Sequence, residues 1–75
     1  MIVILNDGTK ITGKDYTEIV TQMNYLQFAP CDTLEEYMVQ TIKRVKGFYG
    51  IDIKYINPQT FILALQEAGL LNLII

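Results

Sequence analysis

The chain has 75 residues, a formal net charge of −2, 51% hydrophobic side chains and one cysteine. That size suits one small domain near the lower limit for a self-sufficient core, and a lone cysteine excludes an internal disulfide as a staple. The negative balance argues against a protein that wraps nucleic acid over its whole surface, and the absence of histidine, serine and tryptophan removes the usual neutral-pH base, Ser-His and Cys-His nucleophile pairs and the commonest transition-metal ligand.

The first predicted element is a β-hairpin over residues 2–6 and 9–12, because Asp7-Gly8 stands between apolar runs and glycine accepts the positive φ of a type I′ turn. With a two-residue loop, Ile4 faces Ile11 and Val3 faces Thr12. Ile2, Ile4 and Ile11 then share one face of the sheet, and Val3, Leu5, Lys10 and Thr12 the other. Residues 16, 19, 20, 23 and 26 repeat apolar side chains at helical spacing, with Asp15 and Glu18 in the pattern of a capping box and Pro30 as the latest limit of the helix. Tyr25 falls opposite that stripe.

Thr33 and Glu36 form a second capping-box pattern, opening a helix whose apolar arc runs through Leu34, Tyr37, Met38, Ile42, Val45 and Phe48 and which ends at Gly47 or Gly50. Ile51, Asp52, Ile53, Lys54 and Tyr55 alternate and predict a short strand with one wet face. Asn57 and Pro58 start a third helix, stopped by Gly69, with Phe61, Ala64, Leu65 and Ala68 facing inward. Ile62 and Leu63 lie off that stripe. The ending LLNLII has the β-branched character of a strand, most simply placed beside residues 2–6. The whole reads as one α+β domain over residues 1–75: a small sheet, made of the N-terminal β-hairpin plus one or two further strands, packed with three helices in the order β-β-α-α-β-α-β.

The chemistry-bearing patterns are sparse. No run of apolar residues is longer than the five from Met1 to Leu5, so no membrane span is expected, and no basic-then-apolar leader pattern opens the chain, which points to the cytoplasm. Gly13-Lys14 lacks the rest of a phosphate loop, Asn6-Asp7-Gly8 lacks the further oxygen ligands of a calcium loop, and Cys31 sits among Asp32, Glu35 and Glu36, which oppose a thiolate. No cofactor, metal or catalytic residue is therefore expected.

What remains is apolar surface. Tyr25, Phe28, Ile62, Leu63 and Leu73 are the expected interface residues of a non-catalytic protein–protein interaction module, a homo-oligomer with a protein partner, of the kind that serves as a small accessory or inhibitor protein of a bacterium or its phage. A competing reading is a small nucleic-acid-binding domain in which Lys43, Arg44, Lys46 and Lys54 contact phosphates, although cations at a helix C-terminus also complement its dipole. A third is a small oligomeric enzyme with carboxylate chemistry, which requires a pocket that separates two pKa values.

Overall fold

The computed structural model describes residues 1–74. Three strands, β1 (Ile2–Leu5), β2 (Lys10–Thr12) and β3 (Leu71–Ile74), and three helices, α1 (Tyr16–Tyr25), α2 (Leu34–Tyr49) and α3 (Pro58–Glu67), follow the chain order β1 β2 α1 α2 α3 β3. The sheet is antiparallel with order β2-β1-β3, so the last strand does lie beside the first. Ile75, the end of the expected final strand, falls outside the described residues.

Each helix begins where a side-chain oxygen can replace a missing intrahelical acceptor. Asp15 accepts from the Glu18 N–H, Thr33 from Glu36 and Asn57 from Thr60. Only the Asn57–Thr60 pair closes a reciprocal capping box. Glu18 instead reaches back to the Lys14 N–H at 3.2 Å. Gly50, at φ 68°, ends α2 in the left-handed region that glycine adopts without steric cost.

The hairpin register differs from expectation by one residue. Val3 pairs with Ile11 and Ile4 with Lys10, around a three-residue loop in which Gly8 N–H donates to the Leu5 carbonyl at 2.9 Å and Leu5 N–H to the Thr9 carbonyl at 2.8 Å. Asp7 decides this. Its carboxylate accepts the Thr9 N–H at 2.9 Å, which favours a turn continued by Gly8 at φ 90° over the two-residue alternative. A slip of one residue exchanges the faces of a strand. Val3 and Ile11, not Ile4 and Ile11, consequently face the helices, together with Leu71 and the partly buried Leu5 and Leu73.

A second departure concerns residues 51–55. Their alternation is real, since Ile53 is buried, Ile51 and Tyr55 are half-buried, and Asp52 and Lys54 are exposed. They nevertheless form no strand, so the sheet holds the hairpin plus one further strand. Alternation specifies which side chains turn inward and says nothing about a hydrogen-bonding neighbour. The segment is held by side chains instead. Tyr55 stands edge-on to Phe61 with ring centroids 5.7 Å apart, and its hydroxyl donates to Glu35 at 3.0 Å. Burial, and then that bond, raises the Tyr55 phenol above its ordinary pKa and keeps it a donor.

Phe61 is the hub of the core. Fully buried, it also meets Tyr37 of α2 edge-on at 6.3 Å. The same buried cluster holds Ile19, Val20 and Met23 of α1, Met38 and Val45 of α2, and Ile62 and Leu65 of α3. Phe48, expected in the inward arc of α2, is 82% exposed, because the core ends at Val45 and the last helical turn projects past it.

Candidate interaction surface

The best-built surface feature lies where α1 ends, four residues before the limit that Pro30 sets. Asn24 is a polar side chain inside the core boundary, 4% exposed, and buried amides need partners. It finds them in Cys31. The Asn24 Nδ2 donates to the Cys31 carbonyl and its Oδ1 accepts the Cys31 N–H, each at 2.9 Å. This two-way clamp imitates a strand pairing and fixes the return of the loop.

The clamp extends outward through amides. Gln27 Nε2 donates to Asn24 Oδ1 at 2.9 Å, and Arg44 of α2 donates to Gln27 Oε1 at 2.7 Å and to Gln40 Oε1 at 3.4 Å. Cys31 Sγ lies 3.5 Å from that same Gln40 oxygen. Loop and helix are thus tied together, and Gln27, Phe28, Ala29, Gln40 and Arg44 line an open depression between them. Phe28, at the rim, is as exposed as a free side chain, 106% by relative area. A large rigid aromatic held in water on a pinned loop, beside a guanidinium whose only bonds among the described residues are to neutral amides, combines the two residue types most enriched at binding hot spots.

The expected interface residues divide on inspection. Tyr25, at the end of α1, and Phe28, in the loop that follows, are exposed, as is Leu26 between them in the chain. Leu63 is partly exposed, at 40%, on α3. Leu73 is half-buried and packs against the core from β3. Ile62 is a correction: it is completely buried within the chain's own core. The apolar stripe of α3 is wider than the Phe61–Leu65 line because α3 packs against both α1 and β3. Of the five, Tyr25, Phe28 and Leu63 are exposed, Leu73 is half-buried and Ile62 is buried, and only Phe28 lines the depression beside Arg44.

Asn24, Gln27 and Gln40 escaped sequence reasoning. The available signal was Asn24 itself, a poor helix former one residue after the buried Met23 and four after the buried Val20, on the inward side of α1.

A second apolar area is the sheet face turned away from the helices. Ile2, Ile4 and Ile74 lie on it with Lys10, Thr12 and Asn72, and the three isoleucines are outside the core cluster. Both outer edges of this sheet carry a glutamine. Gln66 Oε1 accepts the Leu73 N–H at 3.1 Å, and Gln22 Nε2 donates to the Thr12 carbonyl at 2.8 Å. Side chains that satisfy edge groups discourage the addition of a further strand.

The four cations of the competing nucleic-acid reading are unequally available. Lys46 is joined to Asp52 at 3.1 Å, the only ion pair among the described residues, and Arg44 is directed toward Gln27 and Gln40. Lys43 and Lys54 are exposed. Of the eight carboxylates, Glu18 is half-buried and the other seven are exposed. The second depression, lined by Ile51, Asp52, Ile53, Lys54, Ala64, Glu67 and Ala68, is also open. Among the described residues no three carboxylate or thiol side chains converge on a point that could hold a metal ion, and no helix is long and apolar enough to cross a membrane.

No family model, curated protein or solved structure matches this chain.

Proposed function

We propose that this protein is a non-catalytic, cytoplasmic protein–protein interaction module that works as a homodimer, its contact surface formed by the loop after α1 and the outward side of α2. The observation that carries this reading is Phe28. Exposing an aromatic ring forfeits roughly 2 kcal/mol of burial, and the network from Asn24 through Gln27 to Arg44 holds the loop that carries it. A contact residue held ready in this way binds without a large ordering cost. The free thiol of Cys31 suits a reducing compartment. Carboxylate catalysis draws no support from eight acids that all reach solvent, because pKa separation needs burial.

Phe28→Asp should lower the average mass measured by light scattering at micromolar concentration, while leaving the urea unfolding midpoint within error of the parent's at dilutions where the parent is itself monomeric, because the ring contributes nothing to the protomer's core. An unchanged mass in that variant would remove Phe28 from the contact.

A further inference from the structure

We infer that the second copy docks through α2, with the two α2 helices antiparallel across a two-fold axis that passes between Val39 and Gln40. This rests on the homodimer reading above and assigns its geometry. Glu36, Val39, Gln40, Lys43 and Gly47 recur on α2 at intervals of three and four residues and are all exposed, so they form one outward face of the helix.

The charges on that face are self-complementary. Glu36 and Lys43 lie symmetrically about the midpoint between Val39 and Gln40. A two-fold axis there sets Glu36 of each copy opposite Lys43 of the other, and Val39 of each copy opposite Gln40 of the other. Within one chain the pair cannot meet, since seven residues of helix separate them by about 10 Å. Neither charged group has an ion-pair partner among the described residues, where the one pair joins Lys46 to Asp52.

Gly47 supplies an independent argument. It sits inside α2, where glycine costs helix stability relative to alanine, yet its φ is not positive and an added Cβ would meet no atom of its own chain within 4 Å. Neither the backbone nor the packing of the protomer requires glycine here. In the two-fold arrangement Gly47 stands opposite position 32 of the second copy, in the loop that leads into that copy's α2, where the missing side chain leaves room for the loop. The seam also adjoins the depression at Phe28 through Gln40, which joins the two parts of the contact into one surface.

The competing explanation is that acids at the start of α2 and bases near its end only complement the helix dipole. Charge reversal separates the two. Glu36→Lys and Lys43→Glu should each weaken the dimer about tenfold or more by sedimentation equilibrium at low salt, because each places like charges opposite one another twice per dimer. The double variant should return to within about threefold of the parent. Under the dipole account the double variant is the worst of the three and recovers no association. Gly47→Leu gives a second reading: thermal stability of the protomer holds or rises with the better helix former, while dimerisation weakens about tenfold. A dimeric parent whose affinity ignores all four variants overturns the α2 arrangement and leaves the homodimer standing; a monomeric parent overturns both.

Discussion

A chain ending at Gly69 is expected to lose cooperative folding. Such a truncation removes all of β3, which pairs with the central strand from Leu71 opposite Leu5 through Ile74 opposite Ile2, and it removes Leu71, only 2% exposed, with the partly buried Leu70 and Leu73. Burying one leucine stabilises by about 1.5–3 kcal/mol. A domain of this length has a total stability of roughly 4–11 kcal/mol, so the loss of three such side chains and one whole ladder consumes most or all of it. What is left of the sheet is a two-stranded hairpin, which is marginal without a third strand or well-packed helices. Far-UV circular dichroism through a thermal ramp should show no sigmoidal transition for residues 1–69. A cooperative melt within a few degrees of the parent would mean that β3 is an appendage.

Neighbouring positions on α3 should respond in opposite ways to the same change. Ile62→Asp puts a carboxylate at a site with 0% exposure, among Phe61, Leu65 and the side chains of α1. It both removes an apolar side chain worth about 1.5–3 kcal/mol and buries a charge without a partner, at a cost of several kcal/mol more. The protein should be unfolded at neutral pH without urea. Leu63→Asp, one residue on but 40% exposed, should cost about 1 kcal/mol or less and leave a cooperative urea transition. Equal effects at the two sites would contradict the orientation of α3 against α1 and β3.

That contrast marks where sequence reasoning reached its limit. The three helices were legible because each has a strong local signal: Asp15, Thr33 and Asn57-Pro58 at their starts, and Gly50 and Gly69 after their ends. The partnership of the last strand with the first followed from two apolar strands needing each other. Features that depend on a specific neighbour were not legible. The hairpin register turned on one bond from Asp7 to Thr9, the unpaired run of residues 51–55 on the absence of a strand to lie beside, and the burial of Ile62 on α3 touching two elements instead of one. Phe48 shows the converse, an inward spacing carried beyond the reach of the core. At the candidate surface Tyr25 and Phe28 were readable as off-stripe apolar residues. The polar network behind Phe28 was not, because an amide that clamps a residue seven positions away leaves no periodic trace.

The structure sharpens the apolar surplus without removing it. Phe28, Phe48 and Ile56 are each more than four-fifths exposed, and the outer sheet face holds three isoleucines that no helix covers. Gln22 and Gln66 each occupy one backbone group on an outer edge of the sheet, which disfavours strand addition and is compatible with the proposed contact through α2 and the Phe28 loop.

The most direct measurement is the molar mass of the full chain by light scattering coupled to size exclusion, across a hundredfold range of concentration. The account predicts a mass near twice the 8.6 kDa of one chain at the upper concentrations, falling toward one chain on dilution. A mass of one chain throughout would contradict it, and would mean that this molecule keeps Phe28 in water without a second copy to cover it.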